Sequence, residues 1–247
     1  MDNLKEALQY AAELKVAAEP TEVLEICGKT YARRDLVRYG KPERASALSI
    51  STLSALVDYI EHCSGEFQVG MIIHIVSPKE VRFMSTLDPE RGRETLLVAN
   101  AVVSEFDFDR WYDQERMMIE LQANFKENDD LKVILKAVGN IEKKNKATYT
   151  DDGVTQVATA TIGLAQKADI IVPNPVELIP YRTFQEVEQP SSKFVFRIGD
   201  KDEPAFKLVE AEGGIWKNAA IENIKQYLFA TMSEMPQEIQ SRIVVIG

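Results

Sequence analysis

The sequence predicts an α+β fold in which helices flank a largely antiparallel mixed sheet. Short apolar runs typical of strands occur in small groups joined by turns, and amphipathic helices interrupt these groups without a regular strand–helix alternation. A doubly wound parallel fold needs that alternation and is therefore the less favoured alternative. The chain has 247 residues, 45% of them hydrophobic, which is enough to bury a sizeable core.

An amphipathic helix is predicted at the start of the chain. Apolar side chains recur at helical spacing within residues 3–18, at Leu4, Leu8, Ala11 and Leu14. Pro20 ends the pattern. No linker composition follows, so the sequence predicts an N-terminal helix in residues 1–20 and one α+β domain in residues 21–247. The apolar helix face and the edge strands of a mixed sheet both need cover, which predicts a homo-oligomer.

Each element up to residue 140 rests on a local pattern of apolar residues, caps and turns. In chain order, these are strands at 22–27 and 31–37 around a Gly28-Lys29-Thr30 turn, a helix at 52–63 capped by Ser51, a three-stranded antiparallel meander at 71–76, 81–84 and 95–103, a helix starting near Asp113, and a helix at 131–138 capped by Asp129 or Asp130 and ended by Gly139.

The remaining elements follow a basic stretch near residue 145. Asp151-Asp152-Gly153 is the strongest hairpin signal, because Asp-Gly tolerates the positive φ of tight turns. The other predicted elements are strands at 147–150, 154–162, 168–172, 177–179, 193–198 and 205–210, a helix at 215–232 with Ala220, Ile224 and Leu228 on one side, and a buried final strand at 243–246.

Composition restricts the partners and the compartment. The formal net charge of −10 opposes broad binding to duplex DNA or to an anionic membrane. Cys27 and Cys63 are too few for a disulfide framework or a zinc site, which favours a reducing cytosol. No secretory signal pattern and no apolar run of bilayer length is found, so we expect neither export nor membrane insertion.

Motif searches favour a protein without a catalytic site, metal site or cofactor. Gly28-Lys29-Thr30 resembles the end of a phosphate-binding loop, but Val23 stands where that motif requires a glycine. His62 and His74 have no metal-ligand spacing, and no serine lies in a nucleophile-elbow pattern. The acidic pairs are interpreted as caps, turns or solvated faces, so a metal-dependent hydrolase without a recognisable motif stays an open alternative.

The marked basic concentration of the chain lies in residues 29–44. This segment, called the basic segment below, has a net charge of +4, which leaves −14 for all other residues. It is either a solvated surface that balances acidic neighbours or a site for phosphates, since arginine binds phosphate oxygens bidentately. Alternation along a strand places Arg34 and Arg38 on one face and Arg33 on the other, so Arg34 and Arg38 are the candidate ligand-binding residues.

A second candidate is the loop of residues 180–190. Tyr181 and Arg182 could stack on and ion-pair with a planar anionic ligand. Pro173-Asn174-Pro175 stiffens the approach to this loop, which suits preorganised binding and equally suits a structural crossover. The candidate ligand site is therefore Arg34, Arg38, Tyr181 and Arg182.

Several segments in the C-terminal half resemble a family of uncharacterised phage and prophage proteins. They are Val138-Gly139-Asn140, Asp152-Gly153-Val154-Thr155-Gln156, Val172-Pro173-Asn174-Pro175-Val176, Pro180-Tyr181-Arg182-Thr183-Phe184, Glu188-Gln189-Pro190 and Glu212-Gly213-Gly214-Ile215-Trp216-Lys217. The family is the prophage YfdQ-like group. The resemblance implies an origin in a bacterial virus and action in the host cytoplasm, and it assigns no catalytic residue.

These observations favour a phage-encoded, non-catalytic binding protein that acts against host defence. It would sequester a host factor or a nucleotide-type immune signal, because the chain offers a basic segment and an aromatic-arginine loop without an assembled catalytic set. An accessory protein of phage DNA replication or recombination is a second hypothesis, and the acidic composition would then favour contact with a basic protein over duplex DNA.

Overall fold

The chain divides into two compact units, Met1–Arg44 and Ala45–Gly247. The computed structural model describes residues 2–18, 23–26, 29–32, 44–67, 70–88, 91–141, 155–162, 166–199 and 204–247. The boundary follows Arg44, whereas the sequence placed it at residue 20. The basic segment therefore belongs to the same unit as the N-terminal helix.

The described residues form helices and strands in the α+β arrangement that the sequence predicts. The helices are α1 (Asp2–Ala18), α2 (Leu53–His62), α3 (Gln114–Asn124), α4 (Asp129–Asn140), α5 (Trp216–Met232) and α6 (Gln237–Gln240). The strands are β1 (Val23–Ile26), β2 (Lys29–Ala32), β3 (Leu48–Ile50), β4 (Met71–Ser77), β5 (Glu80–Ser85), β6 (Thr95–Asn100), β7 (Tyr112–Asp113), β8 (Phe125–Lys126), β9 (Thr155–Ile162), β10 (Gln166–Pro173), β11 (Val176–Pro180), β12 (Ser192–Gly199), β13 (Ala205–Glu210) and β14 (Ile243–Ile246).

The first unit contains α1 and an antiparallel pair, β1 and β2. The predicted N-terminal helix is confirmed. Lys29 and Thr30 pair with Ile26 and Glu25 as strand residues, so they do not form the turn that the sequence predicted. The remainder of the second predicted strand, Arg33 to Val37, lies outside the described residues.

The second unit contains a mixed five-stranded sheet, called the first sheet, in the order β14-β4-β5-β6-β3. Strands β4, β5 and β6 form the predicted antiparallel meander. Strand β3 adds parallel to β6, and β14 adds parallel to β4. The final strand therefore lies at a sheet edge, and the prediction that it is buried is wrong for all but Ile243.

Helices α2 and α5 pack on one face of the first sheet and form the first core. Alternate residues of β4 point into it, as the pleat of a strand requires, and Met71, Ile73 and Ile75 are buried. The apolar stripe of α2 is also buried. Its N-cap is Thr52, whose Oγ1 accepts from the Ala55 N–H at 3.2 Å, so the predicted cap at Ser51 is one residue early.

A second five-stranded sheet, in the order β7-β13-β12-β11-β8, is antiparallel throughout. Helices α3 and α4 and an aromatic cluster around Phe106 and Phe194 form the second core with it. Helix α3 starts beside Asp113, as predicted, and Asp113 is its N-cap. Asn128 caps α4, so the assignment of that cap to Asp129 or Asp130 is wrong; both aspartates lie in the first turn instead.

Strands β9 and β10 form a separate antiparallel hairpin, and Val172 at the end of β10 is buried in the second core. The predicted Asp152-Gly153 turn and the strand at 147–150 lie outside the described residues.

The two cores are joined by the segment between β11 and β12, called the crossing segment (Tyr181–Ser191). It leaves the second sheet at Pro180, places Phe184 and Val187 in the first core, and returns to the second sheet at Ser192. Thr183 Oγ1 donates to the Pro78 carbonyl in the β4–β5 turn at 2.5 Å. The loop is thus the structural crossover that the sequence had left as an alternative.

Glu186 connects the crossing segment to α2. Its Oε1 accepts from the Leu53 N–H at 2.8 Å and from the Ser54 N–H at 3.4 Å. These N–H groups belong to the first turn of α2, where no intrahelical acceptor exists and where the helix dipole favours a negative charge. One carboxylate therefore fixes the crossing segment and completes the helix cap.

Gln189 organises the crossing segment from inside. Its Oε1 accepts from the N–H groups of Arg182 at 2.9 Å and Thr183 at 3.2 Å, and its Nε2 donates to the carbonyls of Phe184 at 2.8 Å and Val187 at 3.3 Å. The side chain is buried. It supplies hydrogen-bond partners to backbone groups that are neither in contact with water nor paired with another strand.

We expect Gln189→Ala to lower the free energy of unfolding by about 2–4 kcal/mol, because it leaves several buried backbone groups without partners. Urea unfolding followed by circular dichroism measures this loss. Gln226→Ala is the matched control, since Gln226 is exposed on α5 and its side chain donates to the exposed carboxylate of Glu222. Equal losses in the two variants would contradict the role of Gln189.

Candidate functional site

The structure describes two of the four residues proposed for a ligand site. Tyr181 and Arg182 lie at the start of the crossing segment in the second unit. Arg34 and Arg38 lie outside the described residues, within the span of the first unit. The contacts of the candidate site are therefore described for Tyr181 and Arg182.

Arg182 is held by internal partners. Its Nη1 donates to Glu210 Oε1 at 3.0 Å, and its Nη2 donates to Ser192 Oγ at 2.7 Å. The guanidinium carbon lies 4.1 Å from the ring centroid of Trp216 and 5.7 Å from that of Phe194. The residue is only 8% exposed. This arginine therefore packs between the end of the second sheet and the start of α5.

Burial and pairing act on Arg182 in opposite directions. Burial lowers the pKa of the guanidinium, whereas the hydrogen bond and the charge of Glu210 raise it. An arginine stays protonated throughout the physiological range, so the group remains a cation that needs an anion beside it. Glu210 supplies that anion. Nε has no hydrogen-bond partner and is buried.

These contacts correct the interpretation of the loop as an exposed aromatic-arginine platform. An anionic ligand would have to displace Glu210 from Arg182, and the planar face available for stacking is already covered by Trp216. Tyr181 is half-buried, and its N–H donates to the Asn124 carbonyl at 2.9 Å. The geometry assigns Arg182 to joining the sheet and α5.

The turn before α5 explains how Trp216 reaches Arg182. Gly213 and Gly214 adopt φ values of +60° and +85°, a left-handed backbone that other residues rarely adopt. Glu212 anchors the start of the turn, because its Oε2 accepts from the Lys193 N–H at 3.2 Å. In the sequence, Gly213, Gly214 and Trp216 stood out only within a segment that resembles phage proteins, and the structural roles of Trp216, Glu210 and Gln189 were not predicted. The adjacent glycines before an apolar helix were the available signal.

The histidines and the acidic pairs have structural positions. His62 lies in the last turn of α2, where Nδ1 is 2.9 Å from the Asp58 carbonyl oxygen, and His74 lies on β4. Asp130 Oδ2 accepts from the Glu177 N–H at 2.7 Å, and Asp109 pairs with Lys207 at 2.7 Å. Among the described residues, no group of three or more histidine, cysteine or acidic side chains could hold a metal.

A different surface is exposed on α1. Leu4 and Leu8, four residues apart on one face, are 70% and 64% exposed. Tyr10 and Leu14 are also exposed. An apolar helix face of this kind marks an interaction surface more often than a surface that stays in water. No helix in the described ranges is both long and apolar enough to cross a bilayer.

No family model, curated protein or solved structure matches this chain. The similarity to the prophage YfdQ-like group therefore stays a prediction that rests on the short segments quoted above.

We expect Arg182→Met to lower the free energy of unfolding by about 2–3 kcal/mol, because the carboxylate of Glu210 loses its buried partner; Glu210 keeps some solvent contact, so the loss is smaller than for a fully buried pair. Arg110→Met is the matched control. Arg110 likewise pairs with a carboxylate, that of Asp107, and lies over the ring of Tyr112, but this ion pair is exposed. Its loss should cost about 0.5 kcal/mol or less.

Denaturant unfolding of both variants measures the difference. A ligand-binding role of Arg182 without a structural one would instead leave the stability of Arg182→Met close to that of the wild type.

Proposed function

We propose that this chain is a phage-encoded, non-catalytic binding protein that sequesters a host component of antiviral defence, with residues 1–44 as its binding module. The observation that carries the proposal is the division of the chain at Arg44. It groups a helix that has an exposed apolar face with the basic segment in one unit, and it leaves the two five-stranded sheets in the other.

The net charge differs between the two units, and this difference supports the assignment of binding to residues 1–44. Residues 1–44 contain eight basic and eight acidic residues, so the whole net charge of −10 belongs to residues 45–247. Within the first unit the basic residues concentrate after residue 28. An anionic or acidic partner is repelled by the second unit and attracted only by the basic segment.

The exposed face of α1 favours a host protein as the sequestered component. A helix that presents leucines at i and i+4 can place them in an apolar groove of a partner, and the neighbouring basic segment would steer acidic surfaces toward it. The apolar contact supplies affinity and the charges supply orientation.

A nucleotide-type immune signal is the second candidate, and the basic segment favours it. Arg34 and Arg38 can each contact phosphate oxygens, and a charge-assisted hydrogen bond of this type contributes about 1.5–3 kcal/mol. Because Arg182 is held by Glu210, the nucleotide site would have to be built in the first unit without the crossing segment.

We expect expression of the wild-type chain to raise the plating efficiency of a phage that a nucleotide-signalling defence system restricts. Leu4→Glu with Leu8→Glu should abolish this effect if the target is a protein, since charges on the apolar face prevent docking. Ile119→Glu is the control, because Ile119 is an exposed apolar residue on a helix of the second unit. No gain from the wild type would contradict the proposal.

Calorimetric titration with cyclic dinucleotides and ADP-ribose tests the second candidate. We expect Arg34→Ala and Arg38→Ala each to weaken binding by about tenfold or more, the equivalent of one lost arginine–phosphate contact. Arg110→Ala and Arg116→Ala change exposed arginines of the second unit and should leave binding unchanged. Absence of binding by the wild type would eliminate the nucleotide candidate.

A further inference from the structure

The final strand, β14, forms an edge of the first sheet that lacks the usual protection. Its sequence is Ile243-Val244-Val245-Ile246, without a charge, a proline or a glycine. Val244 and Ile246 are 58% and 44% exposed. Proteins normally protect sheet edges with charged residues, prolines, bulges or very short strands, because a free edge can pair with another chain.

The other edge strands of the two five-stranded sheets are very short, which leaves few backbone groups for a further strand. Strands β7 and β8 have two residues each, and β3 has three. Strand β14 has four residues and pairs with β4 along all of them. In the described part of the chain, β14 is thus the longest edge strand of these sheets, and its side chains are all apolar and β-branched.

The direction of the backbone groups of β14 follows from its pairing with β4. The Met71 N–H donates to the Arg242 carbonyl at 2.7 Å, so in this parallel ladder residues 242, 244 and 246 bond to β4. The intervening residues, Ile243 and Val245, direct their N–H and C=O groups out of the sheet edge. Within the described ranges no residue pairs with these groups, so they can bond to a further strand.

The side chains of β14 alternate between the two faces of the sheet. Ile243 and Val245 pack on the first core, whereas Val244 and Ile246 lie on the other face of the sheet, which α2 and α5 do not cover. A strand added to this edge must therefore present outward backbone groups opposite Val245 and apolar side chains opposite Val244 and Ile246.

We propose that this added strand is β14 of a second copy of the chain, paired antiparallel with Val245 opposite Val245 on a two-fold axis normal to the sheet. Both requirements are met by this register. The two Val245 residues exchange both of their main-chain hydrogen bonds, and Val244 lies opposite Ile246 of the second copy as a close, non-hydrogen-bonded pair. A shift by one residue would place core-facing side chains opposite solvent-facing ones.

The uncovered face of the first sheet supports pairing between identical copies. Ile72 and Met84 lie beside Val244 and its neighbours in the ladder, and neither belongs to the first or the second core. The two-fold axis keeps this face on the same side in both copies, so these apolar side chains of the two copies lie on one continuous face, which also carries His74 and Arg82. A homodimer formed by this contact is closed, which is the usual symmetry of soluble oligomers.

Sedimentation equilibrium tests the surface. We expect a dimer for the wild type and monomers for Val244→Lys/Ile246→Lys and for Val244→Glu/Ile246→Glu, because each double variant places like charges opposite one another. An equimolar mixture of the two variants should recover the dimer. Leu48→Lys, an exposed residue on the opposite edge of the same sheet, is the control and should leave the dimer intact.

A wild-type monomer at tens of micromolar, or double variants that both remain dimeric while keeping the wild-type far-ultraviolet spectrum, would overturn the proposal. So would a mixture that stays monomeric. Dissociation by Leu4→Glu with Leu8→Glu, with no effect of the β14 variants, would place the contact on α1 instead.

Disulfide trapping tests the register in a Cys27→Ser/Cys63→Ser background. Val244→Cys mixed with Ile246→Cys should give a covalent dimer under oxidation, because directly opposite residues lie within disulfide reach. Val244→Cys alone should trap poorly, since its nearest equivalent is diagonal across the pair. Equal trapping by the single variant and the mixture would overturn the Val245-centred register.

Discussion

Within the second unit, the crossing segment packs its side chains into one hydrophobic core while both of its ends belong to the sheet of the other. Phe184 and Val187 enter the first core from a loop whose two ends belong to the second sheet. A loop in this position has backbone groups that neither water nor a ladder can satisfy, and Gln189 supplies their partners. Glu186 then ties the loop to the exposed N–H groups of α2. These hydrogen bonds hold the crossing segment between the two cores.

Arg182 shows why an arginine in a loop need not be a ligand residue. Its guanidinium lies between strand ends and the first turn of α5, with Glu210 as its counter-ion and Trp216 over its face. The features that suggested anion binding, an arginine beside aromatic residues, are the same features that allow a buried cation to be stabilised within the fold. In the sequence, basic residues are concentrated instead in residues 29–44, to which the proposed function assigns the binding of an anionic partner.

Two apolar surfaces differ in what they can bind. The face of α1 consists of side chains on a helix and suits a groove on another protein. The β14 edge offers backbone hydrogen bonds as well as side chains, and its requirements on backbone direction and side-chain face are met by the same strand in an antiparallel copy. The first surface therefore supports the proposed binding of a host partner, and the second supports the proposed self-association.

Local patterns in the sequence were sufficient for most elements and for the fold class. The α2 stripe, the β4–β6 meander and the start of α3 near Asp113 depend on residues that are close together in the chain, so the sequence alone determined them. The caps at Thr52 and Asn128 were misplaced by one or two residues because neighbouring polar side chains have similar capping propensities.

Tertiary structure alone decided the roles of Arg182 and β14. The partners of Arg182 come from Ser192, Glu210 and Trp216, which are distant along the chain, and no local spacing relates them. The apolar sequence of β14 predicted burial, yet its burial depends on whether strands lie on both of its sides. Whether a strand has one neighbour or two depends on the order of strands in the sheet and not on the strand's own residues.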